Sequence, residues 1–137
     1  MSAVPMPSLC ESYARKSALD HLSHGKVVVL GGGTGNPYFT TDTGAALRAA
    51  ELDCRFLLKA TQVDGVYSAD PKRDTSATRF DTLTHDEAIR RDLKVMDTAA
   101  FALAREAGLT IVVFAISEPG ALAAVLRGEG RATYVTP

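Results

Sequence analysis

At 137 residues, with 46% hydrophobic and 23% charged side chains, the chain is long enough for one domain around a single core. Fifteen basic against sixteen acidic residues leave a formal charge of −1, which excludes a broad nucleic-acid-binding face but not a small anion held by local donors. Two cysteines, Cys10 and Cys54, are too few for a disulfide framework and lack metal-site spacing, so reduced thiols are expected. No run approaches the ~18 apolar residues of a membrane span, and Pro5 and Pro7 interrupt any leader-like stretch, so a soluble, cytoplasmic protein is expected.

Residues 1–7 are predicted extended, because each proline disfavours helix in the residue before it. Ser8 can cap a helix over residues 8–24, which Gly25 would end. Residues 26–30, KVVVL, read as a strand apolar on both faces and so as a central, parallel one. A Gly-rich loop follows over 31–42, then a helix over 43–52 with Ala46, Leu47 and Ala50 inward and Arg48 and Glu51 outward. Residues 55–58 make the next strand. Residues 60–83 form a long loop-like region with turn signals at Asp64-Gly65 and Asp70-Pro71. Thr84 and Glu87 match a capping box with His85 exposed within it, Asp97 caps a helix to Ala107, and Gly108 stops it. Residues 110–114 form a strand, Pro119-Gly120 open a last helix closed by Gly128, and residues 132–135 form the final strand. Strands alternating with helices predict one α/β domain, layered, with a mostly parallel sheet.

The junction VVVLGGGTGNPYFTTDT carries most of the functional signal. A strand running into exposed amides and hydroxyls and then into a helix start is where phosphates are held, since unpaired N–H groups and the positive helix end face the ligand. Neither GxxxxGK[ST] nor GxGxxG fits, because Asn36 or Tyr38 stands where the last glycine would be. What remains is a different cradle, with Thr34, Asn36, Thr40 and Thr41 as side-chain donors, set against a tight turn that uses glycine only for positive φ. Asp42 reads either as a helix N-cap or as a carboxylate that orients a cation, Mg²⁺ or a lysine. In the second loop Thr61, Tyr67 and Asp70 follow a strand, at the sheet edge where open α/β folds take ligands, or else belong to two ordinary turns. His21 and His24 lack a third metal ligand, and Lys72, Arg73 and Arg79 read as a solvated basic loop.

GGGTGNPYFTTDTGAALRAAE, LLKATQVDGVYSADPKRD, LTHDEAIRRDLKVMDTAAFALARE and IVVFAISEPGAL, in this order, closely resemble the bacterial uridylate kinases of the amino acid kinase superfamily. The resemblance runs from about Pro5 to the C-terminus. It implies a three-layer αβα sandwich, of which residues 1–137 would be a single partial domain, the C-terminal nucleotide-binding half of an amino acid kinase domain. It implies Mg²⁺ and ATP-dependent phosphorylation of UMP to UDP. The family's UMP segment falls on Thr34, Gly35, Asn36, Pro37, Tyr38, Phe39, Thr40 and Thr41, and its ATP contacts on Thr61, Tyr67 and Asp70. Asp42 matches an acidic position near the phosphoryl-transfer centre and Asp97 the Asp of the VMD motif, both taken as catalytic, and no residue is matched to a resident metal. Gln62 stands where the family usually has Lys, and Asp53-Cys54 where it often has Gly-Ala.

The resemblance further implies a preceding part with a lysine loop and an arginine that would neutralise phosphate charge. Without that arm, weak or absent turnover is expected, because phosphoryl transfer depends on positioning and charge neutralisation. Competence would then require a separate N-terminal half or self-association, and the family suggests a hexamer. The competing expectations are a non-catalytic module that binds UMP, UTP or ATP, and a truncated product with no role.

Overall fold

A computed structural model describes residues 1–93 and 95–137. Lys94, inside the LKVMD motif, lies outside the described residues. In chain order the elements are α1 (Arg15–Ser23), α2 (Thr41–Glu51), β1 (Phe56–Thr61), β2 (Thr82–Thr84), α3 (His85–Arg90), α4 (Thr98–Glu106), β3 (Thr110–Ala115), α5 (Ala121–Leu126) and β4 (Thr133–Thr136). The strands form one sheet in the order β1-β3-β4-β2. β1 with β3 and β2 with β4 run parallel, while β3 and β4 are antiparallel. The sheet is therefore mostly parallel, as expected, with one reversal at its centre.

Strand side chains alternate between faces, and β3 shows how this builds two cores. Ile111 and Val113 join Ala46 and Ala49 of α2, Ala88 of α3, and Ala100, Phe101 and Ala104 of α4 on one face. Val112 and Phe114 join Val125 of α5 on the other. Helices thus cover both faces, and the small alanines of α2 and α4 let those two helices pack closely together. Caps fix the helix starts. Thr84 accepts the Glu87 amide at 3.1 Å and Asp97 accepts the Ala100 amide at 2.9 Å, each satisfying a donor the helix leaves unpaired.

Four local expectations are corrected. Residues 26–30 are extended but join no strand of the sheet: Val27 is 93% and Val29 78% exposed. They bond to the N-terminus, through the Met1 amino group on the Val29 carbonyl at 2.8 Å and the neighbouring Met1–Gly31 and Ala3–Gly31 bonds, and to α1, through the Lys26 amide on the His21 carbonyl at 3.1 Å. An apolar run becomes a central strand only with neighbours on both edges, and among the described residues β1 has a partner on one side alone. The first helix starts at Arg15, because residues 6–10 form a turn in which the Leu9 and Cys10 amides donate to the Met6 carbonyl. His85 is fully buried rather than exposed, its Nε2 2.7 Å from the Leu109 carbonyl. Arg48 is largely buried too, stacked 3.9 Å from the Tyr13 ring centroid.

The long second loop is tied back to the sheet. Its arms meet through the Tyr67–Arg79 bridge and the Phe80 amide on the Val66 carbonyl at 2.8 Å, and its tail becomes β2. Thr133, fully buried on β4, accepts the Val66 amide at 2.8 Å and donates to the Phe80 carbonyl at 2.5 Å, pinning both arms with one hydroxyl. Among the described residues no helix is long and apolar enough to cross a membrane.

Candidate active site

The Gly-rich segment and the first turn of α2 are built together. Gly32, Gly33 and Gly35 all have positive φ, which lets the chain fold back on itself before the helix. Gly44 sits against this turn so tightly that a β-carbon would lie 3.0 Å from the Gly33 α-carbon, so the loop and helix touch backbone to backbone. Arg48, one turn further along α2, holds the loop by donating to the Gly33 carbonyl at 3.2 Å while its other nitrogen pairs with Glu51 at 2.6 Å. Tyr13 completes this support by donating to Glu51 at 2.7 Å.

Thr40, not Asp42, is the N-cap of α2: its oxygen accepts the Asp42 and Thr43 amides at 3.1 and 3.3 Å. Thr40 in turn donates to Asp97, and Thr43 donates to the same carboxylate at 3.0 Å. Asp97 therefore caps α4 and grips the first turn of α2 at once. Burial alone would raise its pKa, but the hydrogen bonds from Thr40, the Ala100 amide and Thr43 outweigh that and hold the carboxyl below its ordinary range. Asp42, in the first turn of α2, pairs with Lys59 of β1. The cation that the sequence reading allowed for Asp42 is, in this structure, that lysine.

Thr34 to Phe39 arch outward from this base. Thr34 accepts the Asn36 amide at 3.1 Å and bends the arch, while Tyr38 is fully exposed with φ 69° and Phe39 is 55% exposed. A tyrosine at positive φ is uncommon and is held there by its surroundings, a condition found often at ligand clamps. Tyr67 and Asp70 lie in the second loop. They line a cavity of about 450 Å³ with Pro71, Arg73, Arg91 and Leu93. Thr61, at the end of β1, does not line that cavity. The Tyr67 hydroxyl donates to Asp64 at 2.7 Å, a bond that raises the phenol pKa and lowers that of the carboxyl, which also pairs with Arg131 at 3.1 Å. Asp70 accepts the Lys72 amide at 2.9 Å and so shapes its own turn.

The structure brings Thr40, Thr41, Asp42 and Asp97 together at the paired starts of α2 and α4, and sets Tyr67 and Asp70 apart in the second loop. Sequence reasoning did not assign Lys59 or Arg48 to the site. Lys59 had a usable signal, being the one charge in the strand FLLKAT. Arg48 had none, since its partners Tyr13 and Gly33 are far off in sequence. Among the described residues no three His, Cys, Asp or Glu side chains gather as a metal cage, and His21 and His24 pair with Glu11 and Asp20 instead.

The family model described as "Amino acid kinase family" matches residues 6–115. The curated uridylate kinase of Azorhizobium caulinodans is 67% identical over 137 residues, which is all of this chain and 58% of that protein. The uridylate kinase of a Bradyrhizobium species is 63% identical over 135 residues, 98% of this chain and 57% of that one. Among solved structures, the UMP kinase from Ureaplasma parvum superposes with a TM-score of 0.95 at 36% identity, over 100% of this chain and 59% of that one. The UMP kinase from Bacillus anthracis gives a TM-score of 0.94 at 37% identity, over 98% and 56%. The chain thus spans less than two thirds of the length of these relatives, and it belongs to the amino acid kinase family.

Proposed function

We propose that this chain is the C-terminal, nucleotide-binding part of a uridylate kinase, which moves the γ-phosphoryl group of Mg-ATP to UMP and yields UDP. The observation that carries the reading is the assembly at the start of α2, where the capped first turn, the glycine turn and the exposed arch of Thr34 to Phe39 offer amides, hydroxyls and aromatic faces on one side. The names of the relatives, at 57–67% identity, point the same way. In this reading Thr34 to Thr41 hold UMP, and Thr61, Tyr67 and Asp70 meet ATP. Asp97 positions Thr40 and Thr43 through the bonds it already makes, and Asp42 faces the phosphates.

The donor set suits magnesium that arrives with the nucleotide. Mg²⁺ keeps several waters and binds through one or two carboxylates plus substrate phosphates, so Asp42 is a sufficient protein contribution. Bound there, the ion would neutralise phosphate charge. The protein's own part is to orient both nucleotides and exclude water.

The unpaired outer edge of β1 and the solvent-exposed Val27 and Val29 favour a chain completed by further structure, either an N-terminal part or other subunits, with a hexamer as the family suggests. A cytoplasmic location goes with this reading. The test is UDP formation from UMP and Mg-ATP by a sample that unfolds cooperatively, alone and mixed with the N-terminal part of a close relative. Little or no UDP alone and clear turnover on mixing is the expected result. Saturable nucleotide binding with no UDP in either sample would favour the non-catalytic binding module and overturn the kinase.

A further inference from the structure

β1 reads FLLKAT, one charge within an apolar strand. An ammonium leaving water needs a partner, and Lys59 finds it in Asp42, with only 27% and 21% of the two side chains exposed. Leu57, Lys59 and Thr61 share one face of β1 by the two-residue period of a strand. Leu57 packs into the core beneath α2, Lys59 emerges at the first turn of α2, and Thr61 ends the strand where the second loop begins. Lys59 is therefore fixed between the end of the segment assigned to UMP and the first residue assigned to ATP. Donor and acceptor phosphates must meet at the junction of their two segments, and charge neutralisation at that junction is the main catalytic task.

Among the described residues, three nearby arginines are engaged elsewhere. Arg48 holds Glu51 and the Gly33 carbonyl, Arg91 holds Glu87 and lies over Phe80, and Arg131 holds Asp64. We propose that Lys59 is a cation this chain supplies to the transferred phosphoryl group, and that Asp42 is the positioning residue that keeps its ammonium extended before ligand arrives. The inference rests on the kinase reading. In the step, an oxygen of the UMP phosphate forms a bond to the γ-phosphorus. The bond from that phosphorus to its bridging oxygen breaks, and the electron pair leaves with ADP. The UMP dianion gives up no proton, so no base is required, and Lys59 stays protonated while it donates to the phosphoryl oxygens.

The test compares binding of Mg-ATP and of adenosine to the 137-residue chain and to its Lys59→Met, Lys59→Arg and Asp42→Asn variants. Lys59→Met is expected to weaken Mg-ATP about ten- to a hundredfold, the range for losing a charge-assisted hydrogen bond, and to leave adenosine unchanged. Lys59→Arg is expected to retain most of the affinity, and Asp42→Asn to lose less than Lys59→Met. In the unsubstituted chain the Lys59 Nζ resonance should shift with Mg-ATP and not with adenosine, which keeps the test open if a variant does not fold. Equal losses for both ligands, or no loss for Mg-ATP, would overturn the assignment of Lys59 alone. A cooperatively folded unsubstituted chain that binds neither ligand, alone or mixed with the N-terminal part of a close relative, would overturn the kinase reading beneath it.

Discussion

Two stretches of this chain look alike on paper and differ entirely in the fold. Residues 26–30, KVVVL, and β3, TIVVFA, are both short apolar runs that follow a helix-ending glycine. In β3, Ile111 to Phe114 are at most 3% exposed, whereas Val27 and Val29 stand almost fully in solvent. β3 has β1 and β4 on its edges and helices on both faces, while residues 26–30 bond to the N-terminal residues and to His21 of α1 but pair with no strand of the sheet. Hydrophobicity makes a strand possible; neighbours decide whether it stabilises anything. The stability of this chain accordingly lies in β3 and its two cores, and the proposed UMP segment on the less supported side, where residues 26–40 lead into α2.

Truncating matched positions on the two sides gives the largest contrast. Ile111→Ala should cost about 2–5 kcal/mol, by lost burial and a cavity, and Val29→Ala less than about 0.5 kcal/mol. Denaturant unfolding of both variants checks this, and equal costs would break the comparison.

The carboxylate that joins two helices comes next. Asp97→Ala removes the α4 cap and leaves Thr40 and Thr43 without their acceptor, for an expected loss of about 1–3 kcal/mol. UMP affinity should fall as well, because the first turn of α2 loses its brace. The Asp97 pKa is depressed, so its stabilisation is complete above the unfolded value of about 3.9 and is lost as pH falls through the lower folded value. Acid unfolding curves of the Asp97→Ala chain should flatten in that window.

A smaller effect comes from His85. Burial is the main cause that lowers its pKa, with its bond to the Leu109 carbonyl opposing. Its neutral form is therefore favoured by folding, and its contribution is full above about pH 6.5 and is lost as pH falls through the lower folded value. Stability of the His85→Gln variant should depend less on pH between about 7 and 5, read from thermal midpoints across that range. The smallest effect belongs to Arg127→Ala, which breaks an exposed pair with Glu129 and should move the unfolding midpoint hardly at all.

These contrasts also show why some of the molecule was legible in its sequence. Helix starts depend on neighbours three residues away, so the caps by Thr84 and Asp97 were readable, although Glu87 bonds Arg91 rather than closing the capping box itself. The Gly-rich turn and the threonines before α2 were readable for the same reason. The rest is set by residues distant in sequence. Thr133 pins a loop 67 positions earlier, Asp97 grips Thr40 from 57 positions away, and His85 is buried because β3 begins beside it. The antiparallel pairing of β3 with β4 and the fate of residues 26–30 are of this kind as well. The assignment of residues to UMP and ATP comes from the family resemblance, since spacing alone left the second loop open between a ligand edge and two ordinary turns.

The most direct test of the account is a calorimetric titration of the cooperatively folded chain with UMP, run beside its Thr40→Ala variant. The account predicts saturable binding by the unsubstituted chain, and binding by the variant weakened several-fold as the α2 cap and its link to Asp97 are lost. A folded chain that takes up no UMP at concentrations to about 1 mM, equivalent to about −4 kcal/mol, would contradict it.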